Sequence, residues 1–118
     1  MSIPPEERDA ALLWDMLSAA RTVCDLVRDY TLARYLSDRR TQLAVERAIE
    51  IIGEAARRVS EPLKTQNPGI PWQGIVAQRH VLAHDYGEII QERIWLLATE
   101  RIPELIRQIE PLVPPPPG

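Results

Sequence analysis

The stretch "RHVLAHDY", residues 79–86, holds both histidines of the chain with an arginine, an aspartate and one of three tyrosines. Histidine is the one side chain whose unperturbed pKa lies near neutrality, so it can take or return a proton at physiological pH. Arginine carries a permanent charge on a planar fork of donors that matches phosphate oxygens. Together Arg79 and His84 point to phosphodiester cleavage without a metal. The imidazole would remove the proton of a ribose 2′-hydroxyl, and the guanidinium would stabilise charge building on the phosphorus centre. Tyr86 would hydrogen-bond a phosphate or stack on a base.

Spacing alone leaves a plainer account in front. Each residue of a helix advances about 100°, so His80 and His84 share a face while Arg79 and His84 stand roughly 140° apart. On that account His84 caps a helix end, Arg79 makes a surface ion pair and Tyr86 packs half-buried. His80 and His84 at i, i+4 also look like half a zinc site. Position 81, however, is Val rather than the Glu of a zinc-protease helix, there is no third histidine, and Cys24 is the single cysteine. Zinc would have to borrow carboxylates such as Asp85, and no metal or other cofactor is expected.

The elements that must carry this motif read as helices. Leu13, Met16, Leu17, Ala20, Val23, Cys24 and Val27 recur at three- and four-residue steps, the stripe of one long helix after Pro4 and Pro5. Thr31 caps a short helix, "LARYLS", and Asp38 caps a long one, residues 39–60, with Ala44, Ala48, Ile51, Ile52, Ala55 and Val59 as its stripe. Residues 60–72, "SEPLKTQNPGIPW", read as a connector broken by Pro62, Pro68, Gly69 and Pro71. A fourth helix runs from Pro71 or Trp72 through the motif to Gly87. The last carries Ile94, Leu97, Ile102, Leu105, Ile106 and Ile109, with a kink or break expected at Pro103. Trp14, Trp72 and Trp95 read as packing anchors and Cys24 as core. The expected fold is all-α: an antiparallel bundle of four main helices plus one short helix over residues 1–113, with a stiff proline-rich tail at 114–118.

Composition narrows the class. There is no Phe, aromatics are 5%, and the core must be built from Leu, Ile, Val and Ala, a palette that suits helices. The net charge of -3 excludes a general nucleic-acid coat, so RNA would meet a local basic patch such as Arg39, Arg40 and Arg47, or those arginines simply face water. A lone cysteine implies no oxidising compartment, and neither a signal peptide nor a membrane span is legible, so a cytoplasmic protein is expected. Glu46, Glu50 and Glu54 form an acidic row whose repulsion needs relief. The expected answer is salt bridges to Arg47, Arg57 or Arg58; the sharper alternative is an acidic wall beside a catalytic histidine.

"RHVLAHDY" also fits a pattern of Arg, four residues, His, any residue, Tyr, with a polar residue directly after the arginine. This resembles the signature of the HEPN superfamily, and the tyrosine narrows it to HepT-like toxins. "AIEIIGEAARRV", "NPGIPWQGIVAQRH" and "ERIWLLATERIPELIRQIE" resemble HepT-like segments in order and spacing, so the likeness covers most of the chain. The resemblance implies a homodimer with the motif in a cleft at the interface, and Arg79 and His84 as the residues of metal-independent RNA cleavage. It implies that Tyr86 receives AMP groups from ATP through a cognate antitoxin, a minimal nucleotidyltransferase, which silences the toxin. A twofold axis past the fourth helix would bring two copies of His84 to one groove. The sequence departs from the family at two positions: His80 stands where Asn is common, and Ile90 where an Asp often caps the last helix. A second imidazole at 80 and the neighbouring Asp85 are supporting candidates. The alternative reading keeps the fold but not the cleavage: a HEPN subunit that binds a nucleotidyltransferase without cutting RNA.

Overall fold

The computed structural model describes residues 4–84 and 90–114 and, at residues 5 and 79–84, the backbone. Its helices are α1 (Pro5–Val27), α2 (Leu32–Leu36), α3 (Arg39–Arg58), α4 (Glu61–Gln66), α5 (Trp72–His84), α6 (Gln91–Leu96) and α7 (Ile102–Ile109). A π-turn, Leu97–Arg101, joins α6 to α7, and a 3₁₀ turn, Glu110–Leu112, follows. The fold is all-α, and no strand occurs among the described residues.

Helix α3 sits at the centre, packed on α1 along one side and on α5 along another. It runs antiparallel to α1. The chain leaving its C-terminus returns to the start of α1, where Asp9 accepts hydrogen bonds from the Ser60 backbone N–H (2.9 Å) and hydroxyl (2.5 Å). Leu13, Met16, Leu17, Ala20, Val23 and Val27 of α1 are buried, as the periodicity requires, and Cys24 is half-buried beside them. On α3 the buried set differs from the expected stripe. Ala48, Ile52 and Ala55 are inside, and Val59 just past the helix end with them, but so are Val45, Ile49, Gly53 and Ala56, whereas Ala44 and Ile51 are exposed. A helix covered by two partners buries a wider arc than one stripe, and α3 packs on both α1 and α5. Trp14 is likewise a correction: it is 43% exposed on α1 rather than an anchor, while Trp72 is buried and Trp95 half-buried.

The caps were legible. Thr31 Oγ1 accepts from the Arg34 N–H, and Asp38 Oδ1 accepts from the Thr41 N–H (3.1 Å). Asp38 does more than cap. Its Oδ2 also accepts from the hydroxyls of Tyr30 (2.6 Å) and Thr41 (2.9 Å), so the end of α1 is tied to the start of α3. The connector corrects another expectation: residues Glu61–Gln66 form α4, because Pro62 falls in the first turn, where no intrahelical N–H is needed. The interruption expected at Pro103 takes the form of the π-turn, which ends one residue before α7 takes Pro103 into its first turn. The Ile102 N–H reaches back five residues to the Leu97 carbonyl, and the wide turn leaves the Trp95 carbonyl to accept from the Thr99 hydroxyl (2.8 Å). No helix among the described residues is long and apolar enough to cross a membrane. The proline tail beyond Pro114 lies outside the described residues.

The hydrogen bond from Tyr30, followed by the two from Thr41, holds the Asp38 carboxyl below the usual carboxylate range. A depressed carboxyl stabilises the fold above its unfolded pKa of about 3.9, and that contribution is lost as pH falls through the lower folded value. Asp38→Ala is therefore expected to lower the thermal midpoint at pH 7, with the gap to wild type closing in acid, measured by circular dichroism melts across pH 2–7.

Candidate functional site

Helix α5 positions the motif. Trp72 opens it, its indole N–H donating to the Asn67 carbonyl (3.0 Å), which fixes where the helix starts on the body. Trp72 is buried and Ile75 and Val76 half-buried, while Gln73, Gly74 and Ala77 are exposed, so α5 has an inner and an outer face. At about 100° per residue, position 79 returns to within roughly 20° of Trp72, on the inner face. Position 84 falls between Gln73 and Ala77 in angle, on the outer face, with position 80 beside it. Arg79, His80 and His84 thus occupy the last two turns of α5, with the arginine and the second histidine on opposite sides of the rod. Asp85 and Tyr86 lie outside the described residues.

The level of these turns along α3 follows from the packing. Ile75 of α5 shares an apolar cavity of about 420 Å³ with Ile49 and Ile52 of α3, and with Leu97, Ile102 and Leu105. Gln73, Gly74 and Ala77 line a surface recess with Arg57 and Lys64, near the C-terminal end of α3. The two helices are therefore antiparallel, and the end of α5 runs toward the N-terminal half of α3. The cavity itself belongs to the other half of α5, away from the motif.

At the motif's end of α3 there is a buried polar junction. Glu46 is 8% exposed. Its Oε2 accepts from Arg39 Nη1 (3.3 Å) and from Gln91 Nε2 (3.1 Å), and Gln91 Oε1 in turn accepts from the Tyr35 hydroxyl (2.9 Å). Tyr35 is fully buried, its ring 5.4 Å from that of Trp95. Gln42 closes the junction by donating to the carbonyls of Tyr35 (2.9 Å) and Leu36 (3.2 Å). Three elements, α2, α3 and the first residue of α6, meet through these bonds. Gln91 begins α6 just past the motif, so the junction also anchors the chain leaving it.

The acidic row is relieved in part as expected: Arg47 pairs with Glu50 (3.3 Å) and Arg57 with Glu54 (2.7 Å). Glu46 departs from that pattern, taking Arg39 from two turns away and Gln91 from another helix. Sequence reasoning passed over Tyr35, Gln42 and Gln91. The available signal was a large tyrosine in a five-residue helix and a glutamine five residues past the motif, and neither has a periodicity to detect. Ile90 does stand at the N-cap of α6 with no side-chain cap bond, as the departure at that position implies. Among the described residues no three His, Cys, Asp or Glu side chains gather as a metal cluster.

An all-helical body with an arginine and a histidine in one helix's last turns defines a class, and comparison with known proteins specifies it. Residues 16–112 match the family described as Ribonuclease HepT-like, and the chain belongs to that family. It is 34% identical over 109 residues to a Methanocaldococcus jannaschii protein named "Putative RNase MJ0127", covering 92% of this chain and 90% of that one. It is 34% identical over 100 residues to a Thermococcus cleftensis protein named "Probable ribonuclease HepT", covering 85% and 91%. No solved structure matches.

Burial, and after it the Glu46 carboxylate, pushes the Tyr35 phenol well above its ordinary range, with Arg39 opposing. A raised phenol pKa stabilises the fold below the unfolded value of about 10, and that stability is lost as pH climbs toward the folded one. Alkaline titration at 295 nm should therefore give the same ionisation step up to about pH 10.5 in wild type and Tyr35→Phe. The variant should be less stable by about 1 kcal/mol, because Gln91 loses its donor, as read by urea unfolding.

Proposed function

We propose that this chain is an endoribonuclease toxin working as a homodimer in the cytoplasm, with RNA as its substrate and no metal or other cofactor in the reaction. What supports the reading is the family together with the arginine and histidine positions on α5. By helical phase position 84 falls on the side of α5 that carries Gln73 and Ala77, and twofold packing along that side would bring two imidazoles to one groove. His84 acts as acid–base. It takes the proton of a ribose 2′-hydroxyl, O2′ attacks phosphorus, the 5′-oxygen leaves, and an imidazolium returns a proton to it. Arg79 stabilises the charge on the phosphorane oxygens. The products are a 2′,3′-cyclic phosphate and a 5′-hydroxyl. His80 and Asp85 support the pair.

In the same reading the partner is a minimal nucleotidyltransferase antitoxin, and Tyr86 is the hydroxyl it modifies with AMP. An anionic adduct two residues from the base would fill the groove and repel an RNA phosphate.

His84→Ala and Arg79→Ala are each expected to reduce RNA cleavage by about a hundredfold or more with helix content unchanged, measured on purified protein with and without EDTA. Equal cleavage in the variants would overturn the assignment. A wild-type protein that binds the nucleotidyltransferase yet cuts no RNA would identify the non-catalytic binding subunit instead. Intact mass after incubation with the nucleotidyltransferase and ATP should show added AMP in wild type and none in Tyr86→Phe.

A further inference from the structure

The start of α5 and the α6–α7 rod do not close completely on α3. Ile49, Ile52, Ile75, Leu97, Ile102 and Leu105 line the cavity of about 420 Å³ that is left between them. Protein interiors hold few voids larger than a water molecule, and an apolar cavity of about 150 Å³ already admits a benzene-sized guest. The side chains around an unfilled space forfeit dispersion contacts that a guest of matching shape restores.

The mouth of the cavity differs from its floor. Gly69, Gly74 and Arg101 stand exposed around it, whereas Ile49 and Ile52 are buried. A Cβ added at Gly69 or Gly74 would meet nothing within 4 Å, so the rim beside each glycine is open space. Leu97 and Arg101 both belong to the π-turn, a departure from regular helix that is frequent at functional sites. The other polar residues of the rim are already engaged: Glu104 accepts from Arg107 Nε (3.0 Å), and Gln108 donates to the Gly69 carbonyl (2.9 Å). The Arg101 side chain has no ion pair or hydrogen bond with a described residue. An aliphatic floor with one uncommitted cation at its edge is the pattern of a small-molecule site, a mostly apolar concavity with a few polar groups that fix orientation.

We propose that this cavity binds a medium-chain fatty carboxylate, its tail among the isoleucines and leucines and its head at the Arg101 guanidinium. Among the described residues no aromatic ring lines the space, so a nucleobase would find nothing to stack on. The guanidinium fork matches a planar carboxylate. The Glu104 charge on the same rim disfavours a doubly charged head such as a phosphate monoester. The site lies in the half of α5 away from positions 79–84 and does not depend on the cleavage reaction proposed above.

The test is a titration of the full chain with sodium octanoate, read by amide NMR shifts and by calorimetry. Octanoate should bind with a Kd below about 1 mM, with shifts confined to the start of α5, the π-turn and α7. Affinity should rise by about fourfold or less for each methylene added from hexanoate to octanoate. Gly74→Leu, which fills the mouth, should weaken binding by at least about tenfold. If that variant does not fold, Gly69→Leu on the same rim is read by the same criterion. Arg101→Gln should weaken octanoate by about threefold or more, as expected for an exposed ion pair, and leave 1-octanol unchanged. No octanoate binding up to about 10 mM, or equal binding in wild type and Gly74→Leu, overturns the proposal. Equal loss of octanoate and octanol in Arg101→Gln removes the carboxylate from it. A wild type that ignores octanoate but loses self-association in Gly74→Leu assigns the cavity to a second copy of the chain and likewise overturns it.

Discussion

The rest of this structure depends on one helix being covered from two sides. Helix α3 packs on both α1 and α5, with Val45, Ala48, Ile49, Ile52, Ala55 and Ala56 buried, and Ile49 and Ile52 share a cavity with Ile75 of α5. Burial of aliphatic surface along both contacts is the non-directional force that assembles the bundle. The small residues Gly53, Ala55 and Ala56 are all buried on α3. Without the α3–α5 contact nothing would define which way α5 faces.

Hydrophobic packing sets proximity but tolerates sliding; directional bonds set register. Here they concentrate at the two ends of α3. At its C-terminal end Asp9 receives Ser60. At its N-terminal end the Tyr30–Asp38–Thr41 cluster and the Tyr35–Gln91–Glu46–Arg39 chain tie α1, α2, α3 and α6 together. Placing polar groups in a core is costly unless they are satisfied, and among the described residues no buried side-chain polar atom lacks a partner. The junction lies at the end of α3 toward which the motif helix runs.

The α6–α7 rod shows how a local conflict is absorbed. Pro103 removes a donor and crowds the carbonyl four residues back, which argues for a break. The wide π-turn instead keeps Ile94, Ala98, Ile102 and Leu105 all buried. The apolar contacts of this rod outweigh one disrupted backbone bond, and the Thr99 hydroxyl supplies a donor to the Trp95 carbonyl.

Much of the fold was readable from residue order alone. The α1 stripe, the caps at Thr31 and Asp38, the absence of strand-like alternation and the position of residues 79–84 on a helix all arise from interactions within a few residues, where period and side-chain type suffice. The family likeness was also carried by the linear pattern around Arg79, His84 and Tyr86. The partners of α3 were not readable. Which of Ala44, Val45, Ile49 or Ile51 goes inside depends on where α1 and α5 lie, and a periodicity admits more than one answer. Nor was the role of Glu46, which in the sequence is one of three equivalent acids. Only the tertiary structure separated it from Glu50 and Glu54, by bringing Gln91 from 45 residues away to its carboxylate. Contacts between residues distant in sequence are set by how helices dock, and docking is a property of surfaces that the order of residues does not display.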